Sequence, residues 1–487
     1  MSPELFKYAC VGFYVVLTLW LSWIGMRKTR DIKGFSIGNK DMSPWIIGVT
    51  MAASVSSTST FVINPGFVYV HGMSAFIHYA VAGTAGITTA FILLTRRFRK
   101  LGDETGAITI PDWIYQRYQS RSLSMFFAII NLLSVTFVVL ILVGCSLLMS
   151  QLFPISQTAS LTLILLFVFS YVLMGGSYAH AYTNTFQGFM MALVAIFIFV
   201  QGFYHFGGDV RGSLASLGEN FMAACNPDSN LYFDFFSVFL SGFVVTFALM
   251  MQPHILTKML YLKNDADVNK FLVTTVIAGA CFMLMLAVGF YARLKGLEID
   301  RQDSVVVSYI AAEFSGHSWG AYALVFISIT LLAAGMSTLD GILVSLSAMV
   351  VKDLYLPFSG KTGFQHGAGL KLSRWVLIGV GVVAYLIALN PPQLIGLFAQ
   401  KGVYGLAAAS VVPILLGTYV RHQPPVVVAW LAAMVGLGAH LLGLFAFGIE
   451  NPAVSATYAI LLSALPVVVY YVLNSIKNKG INFNFNN

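Results

Sequence analysis

The sequence predicts an all-α membrane protein with about thirteen transmembrane helices, and three observations carry that reading. Apolar side chains dominate: 58% of the 487 residues are hydrophobic and 9% are charged, against about 25% charged in a typical soluble domain. The apolar residues gather into long runs, near the roughly 20 residues needed to cross the hydrocarbon layer. The Lys and Arg residues lie between those runs, biased to one side. Backbone groups in lipid must be satisfied within their own segment, so the runs are helices.

Taken in order, the candidate spans lie near 4–26, 44–70, 74–95, 122–150, 157–175, 181–205, 233–256, 271–292, 319–351, 373–390, 393–419, 425–447 and 453–474. The first run lacks a small-residue cleavage site, so it reads as a retained span. The loops near 206–232 and 293–318 are long enough to carry short helices, and residues 476–487 read as a short, disordered polar tail. With the N-terminus outside and the C-terminus cytoplasmic, 21 of the 27 Lys and Arg fall on the inner side, Lys258, Lys361 and Lys371 among them. Lys7, Arg211, Arg293, Lys295 and Arg301 fall outside, and Lys401 lies within a span. The pI of about 9.2 therefore reflects topology rather than nucleic-acid binding. Cys10, Cys145, Cys225 and Cys281 form neither a disulfide framework nor a metal motif.

Two spans break the rules for lipid-embedded helices. The second carries seven Ser or Thr residues and Asn64 between Gly48 and Gly66, and Pro65-Gly66 closes the stretch. Small hydroxyl residues serve as packing glue between helices, but this density fits a discontinuous helix lining a polar cavity. The ninth carries Leu331-Leu-Ala-Ala-Gly-Met-Ser-Thr-Leu-Asp340. Side chains tilt toward the helix N-terminus, which brings the Thr338 hydroxyl near the Ala334 carbonyl with Ser337 beside it. That is either a partial oxygen cage for a hard cation or hydroxyls back-bonding to their own helix. Asp340 is either a functional intramembrane carboxylate or a solvated group near the cytoplasmic mouth. Lys401 needs a partner or a wet cavity, and reads as a structural ion pair or as a contact for an anionic substrate. His78 and His180 read as satisfied packing residues. No HExxH, P-loop, nucleophile elbow or carboxylate cluster points to an enzyme or a nucleotide.

These motifs resemble the sodium:solute symporters, a family of bacterial proline, pantothenate, sialic acid and sugar carriers. The resemblance runs from about residue 5 to about 420. It rests on the second span, Ala107–Tyr118, Gly175–Gln187, Gln252-Pro-His-Ile-Leu256, and Ala334–Leu339 followed by Val351-Lys-Asp-Leu-Tyr355. It implies a LeuT-type fold of two inverted five-helix repeats, 44–205 and 233–419, with discontinuous first and sixth core helices. An extra N-terminal helix (4–26) and two C-terminal helices (425–474) complete a single transporter domain, 1–475. It implies sodium as coupling ion, held by the carbonyls of Ala53, Ser56 and Ala334 and the hydroxyls of Ser337 and Thr338. It implies solute contacts from Ser57, Thr60, Tyr79, Phe247 and Gln400. Asn184 stands where many members have Asp, and Ala334 lacks a hydroxyl, which implies one sodium per cycle. Val55 replaces an Asp of the proline branch, which argues against a cationic amine. The expected partners are a small solute, neutral or anionic, sodium and the bilayer of the bacterial inner membrane, with no cofactor, nucleic acid or obligate protein partner. The alternatives are a proton-coupled carrier using Asp340 or His78, and a transporter-like sensor.

Overall fold

The computed structural model describes residues 1–360, 368–392, 394–421 and 423–481. Lys361 and the tail beyond Ile481 lie outside the described residues. Every regular element among the described residues is helical. The membrane-length elements are α1 (Pro3–Lys28), the bent pair α2 (Pro44–Val55) and α3 (Ser59–His71), α4 (Met73–Thr105) and α5 (Arg121–Ser150). Then come α6 (Gln157–Gly202) and the bent pair α7 (Phe236–Leu249) and α8 (Pro253–Tyr261). They are followed by α9 (Asp265–Leu294), α10 (Gly320–Phe358), α11 (Ala368–Ala388), α12 (Ile395–Tyr419) and α13 (Val426–Phe445). The chain closes with α14 (Pro452–Ser463) and α15 (Leu465–Ile481).

Ten of the described helices suffice by length and apolarity to cross a membrane, or twelve if each bent pair is one span. The expected spans at 157–175 and 181–205 are joined in α6, whose 46 residues would extend about 69 Å as one rod. That is long enough for two crossings, and the backbone breaks at Gly176 (φ +53°). A side chain at Gly176 would also meet the Phe35 carbonyl at 2.7 Å, so only glycine makes this turn. The loops carry the short helices Val210–Ala215, Glu219–Met222 and Val305–Phe314. The tail expected from 476 is helical as far as Ile481.

The two bends have readable local causes. At the end of α2 the Ser57 hydroxyl accepts the Ser59 N–H at 3.1 Å, diverting a donor the helix ladder would use. The chain bends by 51° there. Between α7 and α8, Gln252 is extended (ψ 145°) before Pro253, because proline disfavours the helical region for the residue before it. The bend there is 65°. It turns α8 back into the protein and buries Lys258 at 1% exposure. The sequence reading placed Lys258 in an inner loop, and the bend corrects that. α10 and α12 are the most enclosed spans, while α1 and α11 leave broad apolar faces outward. Gly66 sits where a Cβ would lie 2.2 Å from the Gln302 carbonyl, so a loop packs directly on the α3 backbone.

Candidate functional site

Ending α2 at Val55 frees carbonyls that have no helical partner, and α10 packs across them. The Ser337 hydroxyl lies within hydrogen-bond distance of two carbonyls, donating to that of Ala53 at 3.0 Å or its own helix's Ala334 at 2.8 Å. Thr338 donates to the Ser54 carbonyl at 3.0 Å. Two adjacent side chains of one helix therefore cap the broken end of another. All of these residues are buried, so no bulk water competes for the oxygens. A monovalent cation entering here would replace the two hydroxyl protons as the positive partner of the carbonyls. Of the five expected ligand residues, Ser337 meets Ala53 and Ala334 directly, and Thr338 reaches the same broken end through the Ser54 carbonyl. Ser56, expected to offer its carbonyl, lines a cleft with Thr84, Thr88 and Thr275, and its hydroxyl is without a partner. The Ser54 carbonyl, omitted from the expected set, takes the Thr338 bond. A cap bond of this kind contributes about 1 kcal/mol.

Asn184 reaches the same place from α6, donating to the Ser54 hydroxyl at 3.1 Å and to the Ser337 carbonyl at 2.7 Å. His180, one turn earlier, lies 3.4 Å from the Ser54 hydroxyl through Nε2 and 2.7 Å from Asp340 Oδ1 through Nδ1. It is thus a bridge rather than the packing residue expected. Asp340 is fully buried, which removes the reading of a solvated mouth residue, and its Oδ2 has no hydrogen-bond partner. The Lys258 ammonium donates to the His254 carbonyl of its own turn. A side chain on Gly341 would sit 2.8 Å from the His180 ring and 3.5 Å from the Lys258 nitrogen. That bare glycine lets both groups approach α10. His78 behaves as expected, its Nδ1 held by the Ser237 and Val238 carbonyls at 3.0 and 3.1 Å.

A cavity opens on the other side of the bend. Ser54, Val55, Ser57, Ser59, Thr60 and Asn64 come from α2, α3 and their junction, and Tyr79 and Ile87 from α4. Phe137, Thr246, Leu249, Met250, Gln252, His254, Ile255, Met283, Gln400 and Tyr404 complete the wall. The Gln400 amide donates to the Tyr79 hydroxyl at 3.3 Å, and that hydroxyl also meets Tyr232 at 2.9 Å. Ser57, Thr60, Tyr79 and Gln400 thus converge as expected. Phe247 does not line the cavity: it stacks on Phe243 and packs among apolar neighbours, leaving Thr246, Leu249 and Met250 on the wall. Lys401 is also outside it. Its side chain is exposed, because one helical step from the inward Gln400 rotates it off the cavity. Near the start of α12 its stem can carry the ammonium toward the interface.

Residues 35–424 match the family model described as the sodium:solute symporter family. The chain belongs to that family. A sodium/pantothenate symporter of Haemophilus influenzae is 25% identical over 430 residues, 86% of each chain. An osmoregulated proline transporter of Bacillus subtilis is 25% identical over 431 residues, 85% of this chain and 84% of its own. A substrate-bound, outward-open Na+-coupled sialic acid symporter superposes at TM-score 0.76 with 17% identity, covering 96% of this chain and 98% of its own. The nucleobase-cation-symport-1 transporter Mhp1, closed with bromovinylhydantoin bound, gives 0.58 with 14% identity over 90% and 95%. The fold is therefore LeuT-type, and the family is one of transporters rather than enzymes. In this symporter, sequence reasoning missed Ser54, Lys258 and His254. The sequence signal for the last two was His254 and Lys258 at i, i+4 just past a Pro-induced bend, a spacing that puts both on one face.

Proposed function

We propose that this symporter couples inward sodium flow to uptake of a small organic solute by alternating access, with one sodium per cycle. The observation that carries the reading is the pair of α10 hydroxyls, Ser337 and Thr338, facing freed α2 carbonyls in a buried, neutral oxygen cluster. Hard cations take oxygen ligands, and a neutral cluster holds a monovalent ion weakly enough to release it. Its ligands would be the hydroxyls of Ser337 and Thr338 with the carbonyls of Ala53, Ala334 and Ser54, and that of Ser56 as the family resemblance implies. The ion would join α2 to α10, so it binds one arrangement of these helices better than another, which is the condition for coupling. Asn184 supports a single sodium, because it turns an amide donor toward the Ser54 hydroxyl and the Ser337 carbonyl where a carboxylate would add an acceptor. The repeats 44–205 and 233–419 would move about this junction, with the N-terminus outside.

A thermal-shift titration of detergent-purified protein tests the ion. Sodium chloride stabilises the protein over potassium chloride, since a ligand of the folded state raises its apparent stability. Thr338→Ala weakens the apparent sodium affinity by about tenfold or more, the equivalent of about 1.4 kcal/mol. Equal shifts in the two salts would remove the sodium reading.

A further inference from the structure

We propose that the solute is uncharged and rich in hydroxyl or amide N–H donors, rather than a carboxylate. The inference rests on the symport reading and narrows its substrate. No Asp, Glu, Lys or Arg stands among the described residues that line the cavity. Its titratable groups there are the two phenols and His254, and a charge on His254 would stand one turn from the Lys258 ammonium, a spacing at which like charges repel. Lys258 itself spends a hydrogen bond on the His254 carbonyl and is attracted to Asp340. Lys401 is exposed and off the wall.

Sodium does not supply the missing counter-charge. None of the five ligands implied by the family resemblance, Ala53, Ser56, Ala334, Ser337 and Thr338, lines the cavity. Ser54, whose carbonyl takes the Thr338 bond, is the one proposed ligand residue that also lines the cavity, so the ion would face a solute across that residue rather than touch it. A carboxylate would therefore lose its hydration with no partner of opposite sign, and an unpaired buried charge is among the costliest things a site can hold.

The polar groups point the same way. Gln252 is 3% exposed, lines the cavity, and its Oε1 has no hydrogen-bond partner. An orphaned buried acceptor calls for a donor from the solute, and an ionised carboxylate offers only acceptors. Thr60, Tyr79 and Tyr404 add hydroxyls and Gln400 an amide, groups that match alcohols and amides. Val55, Phe137 and Met283 also line the cavity and suit the carbon skeleton.

The test is a thermal-shift comparison of the full-length, detergent-purified protein in sodium chloride with matched pairs. D-glucose is set against D-gluconate, pantothenol against pantothenate, nicotinamide against nicotinate, and a wider set of sugars, polyols, amides and nucleosides against their acids. The expected result is that the uncharged member of a responding pair stabilises the protein and its acid does not. Gln252→Met then weakens that solute about tenfold, the loss of one good hydrogen bond. An acid that stabilises more than its neutral partner overturns the proposal, as does a set in which no uncharged compound stabilises the sodium-loaded protein. Failure of sodium alone to stabilise over potassium strikes the ion reading instead, and leaves the preference for uncharged solutes to be read in either salt.

Discussion

Two groupings of an imidazole and a lysine around a buried acid stand out among the described residues, and the two acids are satisfied very differently. On the loop helix Val305–Phe314, Glu313 accepts at Oε1 from Gln201 and Tyr204, both at 2.7 Å. Its Oε2 accepts from Lys295 at 2.8 Å and lies 3.3 Å from His205. In the membrane interior, Asp340 bonds His180 through Oδ1, its Oδ2 has no hydrogen bond of ordinary geometry although the buried Tyr171 phenol lies beside it, and Lys258 bonds its own turn. The same three residue types make a closed clamp in one place and an open arrangement in the other. A fully satisfied polar network rigidifies, whereas a half-satisfied one is costly to keep. The open grouping lies where α6, α8 and α10 meet beside the proposed sodium site, which is where relative movement of the helices is proposed. We read the first as a tie between a loop and a span, and the second as a junction whose partners change during the cycle.

The largest effect expected is at the open grouping. Asp340→Asn removes the carboxylate that bonds His180 and attracts the buried Lys258, and lowers stability by about 3–5 kcal/mol, read by denaturation in detergent without sodium. Adding Lys258→Met recovers most of that stability but not sodium-dependent uptake. If the double variant transports normally, the two groupings are both structural and the contrast collapses. Next in size is Glu313→Gln, which breaks the closed clamp and costs about 1–2 kcal/mol, because Lys295 is exposed and its charge is screened by solvent, with sodium-induced stabilisation retained. Loss of the sodium response there would mean that the clamp also takes part in the cycle.

A smaller effect is the pH dependence of the clamp. Burial raises the Glu313 carboxyl, but hydrogen bonds from Lys295, Gln201 and Tyr204 outweigh it and hold it down at about 2. The sign follows: a group lowered on folding contributes fully above its unfolded value of 4.5 and loses that contribution as pH falls toward about 2. The melting temperature of the native protein should fall more steeply over this window than that of Glu313→Gln, and parallel curves would sink the assignment. The smallest effect is that of Lys401→Gln, a charge outside both groupings, which should change stability by less than about 0.5 kcal/mol. A large change in solute-induced stabilisation would return Lys401 to the cavity.

Much of this was legible before any fold. Hydropathy gave the spans near their observed places, because lipid leaves a helix no alternative way to pair its backbone. Both bends carried local marks, the Ser and Thr run before Pro65 and the Gln252-Pro253 pair. The meeting of Ser337 with Ala53 was expected only through a family resemblance, since nothing local relates residues so far apart in the chain.

The misplacements have physical reasons. Lys258 follows an apolar run and reads as a loop cation, yet a 65° bend folds it inward. Phe247 and Lys401 each lie beside a residue that does line the cavity, Thr246 and Gln400. Helical phase, fixed by how α7 and α12 rotate against their neighbours, decided which of each pair faces in. Composition and local chemistry thus determined that the chain is a bundle of spans with broken helices. Which oxygens face one another, which lysine is buried and how the cavity is charged were decided by packing, because those properties belong to pairs of helices rather than to any single segment.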